Sequence, residues 1–420
     1  MACTGVQAEA AQGSIKKPSQ IQAEKQTAME AGQKAKVEAV PTKVEKKIRV
    51  NEKTKAAEAR LKTLQEAKAS LRKNEGIRKN VKYSSAFKDL RRLASKGDTA
   101  AQFNLGIMYT KGKDVQRDYK EAVSWLRIAA KKDYEPAQYT LAVMYAKGPG
   151  VPQDYKESAL WYRKSAEQGN VSSQYAIAVM YAKGQGVPQD YKEAALWYRK
   201  AAEKEVVEAQ LRLAAMYAKG QGVPQDDKES ALWYRKAAEK GILEAQFKIG
   251  TMYAKGQGVP QDDKEAASWY RKAAEKGVLE AQLYLGVAYA NGQGVPQDYK
   301  ESASWYLKAA ERGNAIAQNN LGVKYANGLG VPQVYTEAVA WYRKAAEQGN
   351  AQAQSNLGVM YTKGQGVQQN FVQAHKWLNL AAAAGEKDAQ NSMKAIEVEM
   401  TPLQIEKARS LARSWWEQHK

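Results

Sequence analysis

The stretch that decides the fold runs from Gly241 to Gly277, GILEAQFKIGTMYAKGQGVPQDDKEAASWYRKAAEKG. Its first third places Ala245, Ile249, Gly250 and Tyr253 at i, i+4, i+5 and i+8, the apolar stripe of an amphipathic helix, here helix A. Lys255 sits in the last turn, where its charge suits the helix dipole, and Gly256 supplies a residue able to take the left-handed conformation that ends a helix. Pro260 cannot continue a helix, so Gln257 to Gln261 reads as a connection. Asp262 then offers a carboxylate to the first amides of helix B, with Glu265 placed to reach back in a reciprocal capping box. Ala266, Trp269, Tyr270, Ala273 and Ala274 supply the apolar side of helix B, and Gly277 turns the chain onward.

Working outward, the same phrase recurs. Trp stands at 125, 161, 197, 233, 269, 305, 341 and 377, and Gln at 102, 138, 174, 210, 246, 282, 318, 354 and 390, always 36 residues apart. Residues 97 to 384 are therefore eight copies of a 36-residue helix-turn-helix unit. Such a unit buries its apolar face only by stacking on neighbours, which marks an α-solenoid. The cap recurs as Asp154 with Glu157, Asp190 with Glu193, Asp226 with Glu229 and Asp298 with Glu301. Asp133 and Glu205 replace the glycine that opens a unit, which predicts a different turn or local strain there. Gln368, Asn370 and Gln373 make the eighth unit degenerate, as terminal units tend to be.

The pattern A-x-A-Q-x-x-L-G-x-x-Y-A-x-G-x-G-V-P-Q-D-x-x-E-A-x-x-W-Y-x-K-A-A-E-x-G resembles the Sel1-like repeat, a relative of the tetratricopeptide repeat, without a gap from 97 to 384. The resemblance implies an all-α, right-handed α-solenoid closed by cap helices. It also implies an adaptor or scaffold that holds other proteins, of a kind that in bacteria is often exported or concerned with the envelope or host contact. Some relatives carry a cysteine pair in every repeat and are linked to β-lactam hydrolysis; this array has no cysteine, which removes that subgroup. Flanking the repeats, Phe87, Leu90 and Leu93 predict an opening cap helix within 83 to 96. Residues 385 to 420 read as a partial unit from Ala389-Gln390 and a final helix, capped by Thr401-Pro-Leu-Gln404, with Ala408, Leu411, Ala412 and Trp415 on one side.

The first 82 residues differ in kind. They hold 19 Lys plus Arg against 9 Glu and no Asp, half of the chain's net charge of +20, and no aromatic residue. Too little apolar mass is present to offset chain ordering, so 1 to about 50 reads as disordered. Leu61, Leu64 and Leu71, with Glu58 four residues before Lys62, predict a weakly amphipathic helix over 51 to 73. This tail is suited to electrostatic attachment to an anionic surface, giving an alternative reading as an envelope- or polyanion-associated protein. It lacks the aromatic groups that stack single-stranded bases and any groove-reading motif, which argues against sequence-specific nucleic-acid binding. Ala8-Glu9-Ala10 before Ala11 has the form of a signal-peptidase site. If Met1 to Ala10 is the remnant of a signal peptide the protein is expected in the periplasm or envelope, with lipid anchoring through Cys3 as a lesser alternative, and otherwise in the cytoplasm.

Chemistry-bearing motifs are few. Cys3 is the only cysteine and His375 and His419 the only histidines, too few for a disulfide framework, a zinc finger or a histidine-rich metal site. Ser70-Leu-Arg-Lys73 matches Ser-x-x-Lys but lacks the S-D-N and K-T-G partners of that chemistry. The G-x-G loops recur as connectors and include no G-x-x-x-x-G-K-[ST]. The Trp column falls on the buried stripe of helix B, and His375, where other units have Ala or Val at its position, reads as a lone solvated or packed histidine. No catalytic residue, metal site or cofactor is expected, and no apolar run is long enough to span a membrane.

The expected binding residues lie on helix A. Two positions beyond the stripe alanine, the column reads Phe103, Tyr139, Tyr175, Leu211, Phe247, Leu283, Asn319 and Ser355. In the tetratricopeptide fold the equivalent position faces a concave groove, so the resemblance implies six apolar rungs followed by two polar ones. Lys111, Lys147, Lys183, Lys219, Lys255, Asn291, Asn327 and Lys363 close helix A and are expected to edge that groove with charge. The competing expectation is that the rung packs between helices and the lysines only complement helix ends.

Overall fold

The computed structural model describes residues 84 to 419 apart from residue 113. The readings made on residues 1 to 82, including the helix over 51 to 73 and the Ser70 to Lys73 motif, lie outside the described residues. Within the compact unit Tyr83–Lys420 the described residues form nineteen helices and no strand. Helix α1 spans Ser85–Ser95. The A helices of the eight units follow as α2 (Thr99–Lys111), α4 (Glu135–Lys147), α6 (Val171–Lys183), α8 (Val207–Lys219), α10 (Leu243–Lys255), α12 (Leu279–Asn291), α14 (Ala315–Asn327) and α16 (Ala351–Lys363). The B helices are α3 (Tyr119–Lys131), α5 (Tyr155–Glu167), α7 (Tyr191–Glu203), α9 (Asp227–Glu239), α11 (Asp263–Glu275), α13 (Tyr299–Glu311), α15 (Tyr335–Glu347) and α17 (Phe371–Ala383). Lys387–Glu397 (α18) and Pro402–Gln418 (α19) close the array.

Each A helix packs against the B helix of its own unit and the helix before it, α1 in the case of α2, an α-solenoid built from neighbour contacts. In the unit quoted above, Ala245, Ile249, Gly250 and Tyr253 of α10 are buried against Ala266, Trp269, Tyr270, Ala273 and Ala274 of α11. Gly250 permits this approach, because a Cβ there would lie 3.0 Å from the Tyr270 ring. The loop is equally tight. Gly258, at φ +71°, lies so close to the start of the preceding B helix that a Cβ would stand 1.9 Å from the Asp227 carbonyl oxygen.

Two local expectations are corrected, and a third is decided between its alternatives. Asp133 and Glu205 keep the left-handed turn of the glycines they replace, with φ of 57° and 65°, so the backbone there is strained rather than differently turned. Each finds a partner there: Asp133 accepts from Gln138 Nε2 and Glu205 pairs with Lys240 at 3.1 Å. Asp262 and its counterparts do cap the B helices, accepting from the amides two and three residues on, but the reciprocal half of the box does not form. The Asp262 amide already donates to the Tyr253 carbonyl of helix A. In three units the freed glutamate instead accepts from the tryptophan one turn later, as in Trp161 Nε1 to Glu157 Oε2 at 3.1 Å. A complete box occurs at Thr401 and Gln404, opening α19. In α1, Phe87 is buried and Leu90 half-buried, but Leu93 is exposed and Ala94 takes the inward place.

The Gln column turns out to be a seam. In all eight units the side-chain Nε2 donates to a carbonyl in the last turn of the helix before it, from Gln102 to Ala94 of α1 through Gln246 to Ala238 and on to Gln354 to Ala346, at 3.0 to 3.3 Å. This gives a second donor to a terminal carbonyl that already accepts the amide of the residue opening the unit, as the Ala238 carbonyl does from Gly241.

Candidate binding site

The five rungs Phe103, Tyr139, Tyr175, Leu211 and Phe247 are half-buried, whereas Leu283, Asn319 and Ser355 are buried. The aromatic rungs lean on tyrosines next to them: Tyr139 on Tyr162, Tyr175 on Tyr198 and Phe247 on Tyr270, with ring centroids 5.8 to 6.1 Å apart. Each of these aromatic rungs thus shows one face and packs the other, whereas Leu283, expected as a sixth exposed apolar rung, is buried between helices. Lys111, Lys147, Lys183, Lys219 and Lys255 are exposed at the ends of their A helices, as are Asn291, Asn327 and Lys363.

Two further columns share this face and were not singled out in the sequence. One turn beyond the rung stand Ile107, Val143, Val179, Ala215, Thr251, Val287, Val323 and Val359, all half-buried. Beside the rung stand Asn104, Thr140, Ala176, Arg212, Lys248, Tyr284, Asn320 and Asn356, exposed or half-buried. The Gln, Trp and alanine positions barely change from unit to unit, whereas this last column runs from amide through small and cationic to aromatic and back to amide. In the last two units Asn356 Nδ2 donates to Asn319 Oδ1 at 2.9 Å, joining neighbouring A helices through side-chain amides.

Elsewhere, cations pair with aromatic rings at recurring positions. In seven of the eight units a lysine ammonium lies over the face of the column tryptophan, at 3.7 to 5.3 Å. Burial pushes the phenols of Tyr162, Tyr198 and Tyr234 up to about 12, the Tyr139 and Tyr175 phenols adding to the first two. Lys324 occupies the position of Met252 in the quoted unit, is buried over the Tyr299 ring at 4.2 Å, and is lowered to about 8 by loss of solvent. His375 is fully buried rather than solvated, its Nε2 2.8 Å from Glu397 Oε1, which also meets Arg409 at 3.3 Å. This contact ties α17 to α18 and α19 and holds the Glu397 carboxyl below its usual range. Among the described residues no cluster of three potential metal ligands exists, and no helix is long and apolar enough to cross a membrane.

Comparison with known proteins agrees with this geometry. The Sel1 repeat family model matches eight consecutive segments, 99–134, 135–170, 171–206, 207–242, 243–278, 279–314, 315–350 and 351–386. The chain is similar to a protective antigen of uropathogenic Escherichia coli strains displaying an SLR fold, with 38% identity over 80% of this chain and 72% of that one, and a TM-score of 0.62. A Sel1 repeat protein from Oxalobacter formigenes is 35% identical over 74% of this chain and 90% of its own, with a TM-score of 0.54. Among curated proteins none matches significantly.

Proposed function

From the premise that this chain belongs to the Sel1 repeat family, whose members generally act as protein-interaction scaffolds, we propose that it is a non-catalytic adaptor that holds a partner polypeptide along the exposed face of its A helices. The observation that carries this is the varied column from Asn104 to Asn356, laid beside half-buried apolar rows on an otherwise constant scaffold. A scaffold needs the same packing residues in every unit. A reader of a partner needs different ones. Phe103, Tyr139, Tyr175, Leu211 and Phe247 supply apolar anchors, and Lys111, Lys147, Lys183, Lys219 and Lys255 orient a segment with acidic flanks.

Photo-crosslinking tests this directly. A benzophenone side chain at Val179, in full-length protein within cells, is expected to trap a discrete polypeptide. The same probe at the exposed Lys240, away from this face, is expected to trap none in common. Replacing Tyr139, Tyr175 and Phe247 together by Ser should abolish the Val179 adduct while helical circular dichroism persists. Identical adducts from both probe positions would refute the assignment of this face.

A further inference from the structure

The B helices carry an exposed feature that the packing does not require. Among the described residues, large apolar side chains are exposed at few places, and three of these, Leu160, Leu196 and Leu232, occupy one position in three successive units at 46%, 47% and 45% exposure. The repeats are their own control. At the same position the remaining units have Ser124, Ser268, Ser304, Ala340 and Lys376, so the helix does not need leucine there. Exposed apolar groups scattered singly mean little, but the same leucine exposed at one helical position in three successive units makes a repeated row.

The charges beside the row identify its occupant. One turn before each leucine stand Lys156, Lys192 and Lys228, exposed and without any side-chain hydrogen bond or ion pair among the described residues. One turn after each stand Lys164, Lys200 and Lys236, held over the faces of Trp161, Trp197 and Trp233 at 5.3, 4.0 and 4.3 Å. Glu157, Glu193 and Glu229 share the first border but accept from the column tryptophans, so the free charges on both borders of the apolar row are cationic. A second copy docked here in antiparallel fashion would set Lys156 against Lys164, and a parallel one would set the unpaired lysines against each other, so self-association is opposed. An anionic bilayer would also meet the exposed carboxylates of Glu167, Glu203 and Glu239, two turns beyond the leucines on the same face, which oppose it. We propose that Leu160, Leu196 and Leu232 dock an amphipathic helix of a partner protein, with an apolar stripe bordered on both sides by acidic residues. A helix offers that cross-section, whereas a strand presents alternate side chains to opposite faces. This surface lies on the B helices and is independent of the A-helix face proposed above.

The test uses full-length protein and a fluorescent synthetic helical peptide, with leucine at every seventh position bordered by glutamates, titrated by anisotropy. Saturable binding is expected that weakens with salt. Leu160→Ser, Leu196→Ser and Leu232→Ser combined should weaken it about tenfold or more, with an unchanged thermal melt because the array already uses Ser at this position in three units. Lys156→Gln, Lys192→Gln and Lys228→Gln combined should weaken it and flatten its salt dependence, and a peptide with lysines in place of glutamates should not bind. Failure of the acidic peptide to bind, or equal binding by the triple serine protein, overturns the proposal. So does leucine-dependent adhesion to phosphatidylglycerol vesicles, or leucine-dependent dimerisation, in the absence of peptide binding.

Discussion

Units 2 to 5 and units 6 to 8 have the same helix lengths and are filled differently. In the former, Met144, Met180, Met216 and Met252 sit on helix A and Asp154, Asp190, Asp226 and Asp262 cap helix B. In the latter the methionine position becomes Ala288 and Lys324 before Met360 returns, the cap is Asp298, then Val334 and Asn370, and Lys gives way to Asn291 and Asn327 at the end of helix A before Lys363. Every A and B helix nevertheless runs for 13 residues. The fold is thus carried by the columns that do not change, the Trp, the Gln seam, the small residues and the left-handed glycines. Columns that drift do so at a local cost or for another purpose.

The largest effect that sharpens this contrast is at the constant columns. Trp269→Ala should cost about 3–5 kcal/mol in chemical unfolding, as a core aromatic truncation, whereas the half-buried Trp125 should tolerate the same change better. A cost at Trp269 no larger than that of an exposed residue would break the comparison. Two glycines of one unit come next. Gly258→Ala drives a Cβ into the Asp227 carbonyl and should cost about 3 kcal/mol. Gly241→Ala meets nothing within 4 Å and should cost only about 1 kcal/mol for its positive φ. Equal losses on thermal melting would show that the loop yields around the Gly258 Cβ position.

At the drifting columns the effects are smaller and favourable. Lys324→Met should stabilise by about 2 kcal/mol at neutral pH, and the gain carries a signature. Since burial lowers Lys324 to about 8, the unfolded chain holds a proton that the native one has released from there up to the ordinary lysine value. Wild-type stability therefore rises with pH across that window, and the advantage of the methionine shrinks over it. Above about pH 10 the unfolded tyrosines ionise while Tyr162, Tyr198 and Tyr234, pushed up to about 12, do not, so stability falls again. A pH-independent gain would mean that packing rather than charge is what Lys324 lacks.

Restoring a cap with Val334→Asp should add about 1 kcal/mol, since Val334 provides no side-chain cap while its counterparts do. The smallest change concerns the seam. Gln138 and Gln318 receive a donor on their Oε1 from Gln168 and Gln348 at 2.7 Å, but Gln246 Oε1 is buried without a partner. Lys276 stands where Gln168 stands, 30 residues on, so Lys276→Gln should contribute about 0.5–1 kcal/mol. No gain in a denaturant titration would indicate that the second lone pair of the seam glutamine is indifferent.

Much of this architecture was legible beforehand because a period of 36 makes the chain its own alignment. The stripe of helix A, the caps and the buried side of helix B followed from spacing alone. The Gln column was visible as an interval but not as a bond, because its acceptor lies on another unit and short-range spacing carries no tertiary partner. Glu157 was misread for the opposite reason: the local box was sound chemistry, yet a tertiary bond to the Asp154 amide displaced it. Leu160, Leu196 and Leu232 were unreadable as a patch until the exposed face of helix B was known. Leu93 lost its inward place to Ala94 because the apolar spacing of α1 leaves the two equally plausible.

Neighbour-only packing also has a mechanical consequence. Pulled from its two ends, an array without long-range ties has no clamp that must break before all else gives way. It should peel from an end, each unit releasing about 120–130 Å of contour as 36 residues straighten. The Gln seam and the Gly258 type of loop contact set the force at each step, since both cross from one unit to the one before. Under load such a chain yields stepwise and rewinds, a spring whose stiffness is written unit by unit.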